Sequence, residues 1–277
     1  MLEKAMRKPF HLFTCHRRDE DDFTVIAHRG ASAYYPENTF PSFEGAIAMG
    51  ADMVELDVQL TSDAEVVVFH DENLSRCTNG RGRITDYTLM ALKKLDAGGW
   101  FGRKFKNVKI PTLDEVLDIC KNRIAVNVEI KTASVSRIIS GGIEEKCLKI
   151  VERCRMKEHV VFSSFDPCAL LHLKRLDKTA PVAVLYKKKI YGSKRLPDMM
   201  DALDAVAFNC SKSELNNEWM ALAQSCGIPI NVYTVNDIRS MRKLINMGVS
   251  GIFTNKPDVL KKVSAEIRKL KSEDKQL

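Results

Sequence analysis

The chain has 277 residues, of which 45% are hydrophobic and 29% charged, and 43 Lys+Arg against 36 Asp+Glu leave a formal net charge of +7. Such a balance is ordinary for a globular protein and excludes a disordered chain, a collagen-like repeat and a small disulfide scaffold. No stretch approaches the roughly 20 apolar residues of a membrane-spanning helix. The opening MLEKAMRKPFHLFTCHRRDEDD has no apolar core and no small-residue cleavage site, so the expected compartment is the cytoplasm. Mild basicity without a recognisable reading module argues against a nucleic-acid partner and leaves open attraction to phosphates or to an anionic membrane surface. The eight cysteines show no CxxC and no paired spacing, and read as buried small hydrophobes rather than as disulfides or a zinc site.

In chain order, the apolar runs predict strands over Thr24–Gly30, Met53–Thr61, Arg123–Lys131, His159–Phe165, Pro181–Tyr186, Ala205–Asn209, Pro229–Asn236 and Gly251–Asn255. Between them, helical periodicity marks Thr39–Met49, Leu113–Lys121, Ile143–Met156, Ala169–Leu176, Glu218–Cys226 and Ile238–Met247, and a last helix starts near Pro257. Strands that alternate with helices imply parallel pairing through crossovers. Eight such units predict a (β/α)8 TIM barrel over 24–260, with an open doubly wound sheet as the alternative. A polar arm over 1–23 precedes it, and a helix end with a polar tail over 261–277 follows. The rhythm breaks after the second strand, where Glu65–His70 reads as a short extra strand and a Gly-rich stretch over about 71–111 as a small ordered insertion.

Side chains at i and i+2 of a strand share a face. Glu55 and Asp57 therefore point one way on the second strand while Val54, Leu56 and Val58 point the other; Glu129 and Lys131 repeat the pattern on the third. Three carboxylates and a lysine inside a barrel are costly unless paired or metal-bound, yet at the C-terminal ends of strands they line the place where barrel enzymes work. Oxygen-only ligation suits Mg2+ or Ca2+ better than zinc; the competing reading is surface charge or a structural ion pair. His28 and Arg29 end the first strand, and His70 and Asp71 end the short extra one. Two imidazoles beside the carboxylate strands can divide general base and general acid work. His11 and His16 fall in the arm, and His159 and His172, with no acidic or nucleophilic neighbour in the sequence, read as structural.

The series His28-Arg29-Gly30, Glu37-Asn38-Thr39, Glu55-Leu56-Asp57-Val58, Val68-Phe69-His70-Asp71, Thr78-Asn79-Gly80, Pro111-Thr112-Leu113, Glu129-Ile130-Lys131, Ser163-Ser164-Phe165 and Gly251-Ile252-Phe253-Thr254-Asn255-Lys256-Pro257 closely resembles the glycerophosphodiester phosphodiesterase family, from about Thr24 to Val259. The resemblance implies a TIM barrel that hydrolyses glycerophosphodiesters to glycerol 3-phosphate and a free alcohol. It implies that Glu55, Asp57 and Glu129 hold a divalent ion, Mg2+ or Ca2+, and that His28 and His70 are the acid/base pair, His70 alternatively completing the metal shell. Arg29 and Lys131 would neutralise the phosphate. Glu37-Asn38-Thr39 opens the first helix, with Asn38 reading as its cap; the alternative is that Glu37 reaches the glycerol hydroxyls or a metal-bound water. Tyr233 stands where many relatives carry tryptophan, and would cover the glycerol moiety with a hydroxyl that needs a partner. Ala64 replaces a usual glycine, which strains the turn if φ is positive there, and Cys77 replaces a common threonine.

Trp100-Phe101-Gly102-Arg103-Lys104-Phe105-Lys106 reads as the insertion's own small core in preference to a lipid or membrane contact. Lys187-Lys188-Lys189 with Lys194-Arg195 reads as a solvated charge run or an attractor of anionic substrate. Two rival functions stand beside the hydrolase of soluble diesters: a lysophospholipase D, which an apolar groove lined by those aromatics would favour, and a phosphate-ligand binding protein without turnover.

Overall fold

Alternating residues along the strands become the two faces of one closed sheet in the computed structural model, which describes residues 23–136 and 138–274; His11, Cys15, His16 and nearly all of the predicted arm lie outside them. Among the described residues the strands are β1 (Thr24–His28), β2 (Met53–Leu60), β3 (Val66–Val68), β4 (Ala125–Ile130), β5 (Val160–Ser164), β6 (Val182–Leu185), β7 (Ala207–Ser211), β8 (Ile230–Tyr233) and β9 (Gly251–Thr254). All but β3 run parallel, and β1 pairs with both β2 and β9, so eight strands close into a barrel. The crossovers carry α1 (Phe40–Ala48), α2 (Leu89–Leu92), α3 (Leu113–Cys120), α4 (Ile143–Arg153), α5 (Pro167–Leu176), α6 (Lys188–Tyr191), α7 (Leu196–Leu203), α8 (Asn217–Cys226) and α9 (Ile238–Met247), and α10 (Pro257–Asp274) follows β9. The predicted (β/α)8 architecture is the one observed.

Outward side chains such as Val54, Leu56, Val58, Val126, Val128 and Ile130 are fully buried against the helices. Inward side chains are layered. Ile26, Met53, Ala125, Val161, Ala183, Ala207 and Phe253 form an apolar plug at the N-terminal end. Above it, Ser163 Oγ donates to Asn127 Oδ1 at 2.8 Å and Asn231 Nδ2 to Asn209 Oδ1 at 2.9 Å. The charged residues follow at the C-terminal mouth. Polarity thus rises along the barrel axis, toward the end where loops admit solvent.

The extra strand, Val66–Val68, is shorter than predicted: Val68 donates outward to the Pro111 carbonyl, and after Phe69 makes a last bond to the Asp57 carbonyl of β2 the chain turns away into the insertion. The insertion is ordered around Val67, Phe69, Leu74, Cys77, Ile84, Leu92, Ala97 and Ile110. Its aromatic run contributes little to that core: Trp100, Phe101 and Phe105 meet edge to edge, and Phe105 continues onto Tyr35 at 5.7 Å between centroids. The rings form a ladder that leaves Trp100 exposed at its outer end. Ala64 does take φ of 60°, the strained value anticipated for that turn.

Two other expectations change. Cys168 and Cys226 are exposed on α5 and α8, whereas Cys77, Cys120, Cys147, Cys154 and Cys210 are buried; all seven are free. His172 does have an acidic partner, since its Nδ1 lies 3.1 Å from Oε1 of buried Glu144, where α4 packs on α5. Among the described residues, no helix is long and apolar enough to cross a membrane.

Candidate active site

The parallel register of β2 and β4 sets Asp57 opposite Glu129, with Glu55 one inward position below. One carboxylate oxygen from each of Glu55, Asp57 and Glu129 lies within 4.8 Å of the other two. Lys131 Nζ stands 2.8 Å from Glu129 Oε1 and 3.2 Å from Asp57 Oδ1, and Arg29 Nε 3.3 Å from Asp57 Oδ2. Asn38 Nδ2 donates to Asp57 Oδ2 at 2.8 Å, and the Arg29 backbone N–H to Glu55 Oε2 at 2.9 Å.

The three acids respond differently. Burial pushes the Asp57 carboxyl up, but Lys131 and Arg29 outweigh it and hold the group far below its ordinary range. Glu55 goes the other way: burial first, then the charges of Asp57 and Glu129, raise it well above that range. Glu129 is raised for the same reasons, burial and then Asp57. Glu55 Oε1 is buried and has no hydrogen-bond partner. Three carboxylates facing two cations, with one buried oxygen unpartnered, form a site short of positive charge. This set fits a hard divalent cation.

His28 and His70 are held from behind. Nδ1 of His28 lies 2.8 Å from Asn255 Oδ1, and burial, followed by the neighbouring Arg29 charge, pulls the imidazole down to about 4. Nδ1 of His70 lies 2.5 Å from Asp71 Oδ1, and burial again lowers it. Asp71 itself is drawn down to about 2, chiefly by its hydrogen bonds from Arg76. The chain reaches these positions through a tight turn after β1: Arg29 and Gly30 take φ of 55° and 79°. A Cβ on Gly30 would meet the Ser42 backbone at 2.6 Å, so only glycine fits there.

Of the residues singled out in the sequence, His28, Arg29, Glu37, Glu55, Asp57, His70, Glu129 and Lys131 gather on one side of the mouth. Glu37 accepts from Arg29 Nη1 at 2.9 Å and from both terminal nitrogens of Arg76 at 2.7 and 2.9 Å. Tyr233 sits apart on β8, edge-on to Phe165 and Phe253, and the partner its hydroxyl needs is the Tyr186 carbonyl at 2.7 Å. Asn38 is not the cap of α1. Thr39 and Ser42 form the capping box, while Asn38, at φ of 56°, turns its amide inward to Asp57. Arg76 and the backing role of Asn255 were not anticipated. The only sequence signals were an arginine six residues after His70 and an asparagine ending the last strand.

Holding this much charge at a barrel mouth costs stability, and such a mouth is the working end of a barrel enzyme. Residues 28–259 match the glycerophosphoryl diester phosphodiesterase family, and the chain belongs to it, an enzyme of the phosphoric diester hydrolase class. It is 38% identical over 240 residues to a glycerophosphodiester phosphodiesterase of Caldanaerobacter subterraneus subsp. tengcongensis, covering 85% of this chain and 95% of that one. A Bacillus subtilis glycerophosphodiester phosphodiesterase is 35% identical over 263 residues, or 88% of this chain and 87% of the relative. Among solved structures, an Oleispira antarctica phosphodiesterase in complex with the product sn-glycerol-3-phosphate superimposes with a TM-score of 0.76 at 31% identity, over 87% of this chain and 96% of that one.

Proposed function

We propose that the chain hydrolyses glycerophosphodiesters to glycerol 3-phosphate and a free alcohol, acting on small water-soluble diesters with a divalent cation, Mg2+ or Ca2+, at Glu55, Asp57 and Glu129. The observation that carries this reading is the buried carboxylate trio with an unpartnered Glu55 oxygen, set between cationic and imidazole side chains. When bound, the cation supplies Lewis-acid stabilisation of charge on the phosphate oxygens.

The chain's own residues do the rest. Lys131 and Arg29, kept cationic by Asp57, neutralise the phosphodiester and orient it. Each imidazole has its Nδ1 engaged, so Nε2 is the atom that takes or gives a proton. A carboxylate stands behind His70 and a neutral amide behind His28. The carboxylate stabilises an imidazolium at His70; one imidazole removes the proton from the attacking hydroxyl or water and the other protonates the departing alcohol. Glu37 holds Arg29 toward Asp57 and borders the glycerol site. Tyr233, fixed by the Tyr186 carbonyl, covers the glycerol backbone. The seven cysteines among the described residues, all free, support a reducing, cytoplasmic setting, with residues 24–260 acting as one barrel domain.

Phosphorus NMR of the purified protein with glycerophosphoethanolamine and lysophosphatidylcholine together, in Mg2+ or Ca2+, beside His28→Ala, tests the reading. Metal-dependent conversion of the first substrate, lost in the variant, is the expected result. Preferential conversion of the lysolipid would transfer the function to lysophospholipase D, and no turnover by a folded, metal-binding protein would leave a phosphate-ligand binding protein.

A further inference from the structure

Arg76 belongs to none of the barrel strands. It ends a short 3-10 turn, Leu74–Arg76, whose Leu74 is fully buried in the core of the insertion and whose carbonyl accepts from Thr78 Oγ1 at 2.7 Å. From that anchorage the guanidinium uses all three of its nitrogens. Nε and Nη2 donate to the two oxygens of Asp71 at 2.5 and 2.9 Å, and Nη1 and Nη2 to the two oxygens of Glu37 at 2.9 and 2.7 Å. Both carboxylates are shared. Asp71 Oδ1 also faces His70 Nδ1, and Glu37 Oε1 also accepts from Arg29 Nη1.

We propose that Arg76 is a positioning residue for the hydrolysis: its guanidinium clamps Asp71 and Glu37 together and through them fixes the His70 imidazole and the Arg29 guanidinium. The inference rests on the proposed roles of His70 and Arg29 and extends them to the insertion. Asp71 and His70 are partly open to solvent, at 24% and 30% side-chain exposure, so packing alone does not hold either side chain. The double fork does. With Asp71 fixed as an acceptor, the neutral His70 ring keeps its hydrogen on Nδ1, and Nε2 is left bare toward the substrate. A planar guanidinium can bridge two carboxylates bidentately; an ammonium cannot. A surface ion pair of the usual kind would leave the tautomer of His70 untouched.

The test compares the full-length wild type with Arg76→Ala and Arg76→Lys, with Mg2+ present throughout. Steady-state kinetics on glycerophosphoethanolamine are read beside long-range proton–nitrogen NMR of the histidine side chains. In both variants the His70 signals are expected to move from a single Nδ1–H tautomer toward a mixture, while the His28 signals, backed by Asn255, stay in place. The value of kcat is expected to fall by about 10- to 100-fold, the usual effect of removing a group that orients an active-site histidine, with KM changing much less. Asp71→Asn should give the same shift, and adding it to Arg76→Ala should change little further. An unchanged His70 tautomer, or a shifted tautomer with wild-type kcat, overturns the proposal. If Arg76→Ala does not fold, Arg76→Lys, which keeps the charge and loses the fork, decides alone. If the wild type does not turn over the diester, the earlier reading of function fails, and the tautomer still reports on the clamp.

Discussion

The wall of the barrel mouth built from β1, β2 and β4 packs Arg29, Glu55, Asp57, Glu129 and Lys131 into one network, whereas on the other side Tyr233 of β8 meets Phe165, just after β5, edge-on and rests in turn on Phe253 of the apolar plug. On the charged wall each group depends on its neighbours: Lys131 and Arg29 depress Asp57, and Asp57 in turn raises Glu55. On the aromatic wall one hydrogen bond, from Tyr233 to the Tyr186 carbonyl, is the polar tie the ring needs. Perturbing the first wall should propagate; perturbing the second should stay local.

Asp57→Asn is the severest test, because it strands two cations that the buried carboxylate serves. A stability loss of about 3–5 kcal/mol in urea denaturation is expected, together with loss of turnover. A loss below about 1 kcal/mol, the range of an exposed pair, would mean that the network is not mutual. His70→Ala should cut kcat on the order of 100- to 10,000-fold while leaving thermal unfolding nearly unchanged, which separates proton transfer from scaffolding.

The raised carboxyl of Glu55 sharpens the comparison further. Burial and the charges of Asp57 and Glu129 favour its protonated form, and a cation requires the carboxylate, so Mg2+ affinity should fall as pH is lowered and the number of protons released on binding should be above zero. Calorimetry in two buffers of different ionisation enthalpy measures that number; zero protons would place the cation elsewhere. The smallest effect belongs to the aromatic wall. Tyr233→Phe should lose about 1 kcal/mol of stability with the missing hydrogen bond and leave kcat near wild type.

The charged wall was readable from the sequence because strand geometry has period two. Glu55 and Asp57 had to share a face, as did Glu129 and Lys131, whatever the loops did. The closed barrel followed from the count of strand and helix units. Contacts made by loops were not readable. Asn38 looks like a helix cap until its positive φ swings the amide to Asp57, and Arg76 has no periodic pattern to announce it. Glu144 and His172 are 28 residues apart and meet only because α4 packs on α5. In these cases a single backbone angle or a helix packing decided the contact, and neither leaves a local signature.

His28 and Asn255 lie 227 residues apart and join across the β1–β9 seam, the one place where the two ends of the sheet meet. A chain still emerging from the ribosome therefore carries its carboxylate trio long before its first imidazole has a backing. Until β9 docks, β1 and β8 are open edges prone to pairing with other chains. Synthesis and competence are coupled: a ribosome-bound chain arrested before Gly251 should bind the cation poorly and hydrolyse nothing, and release of the last helix should switch on both closure and catalysis.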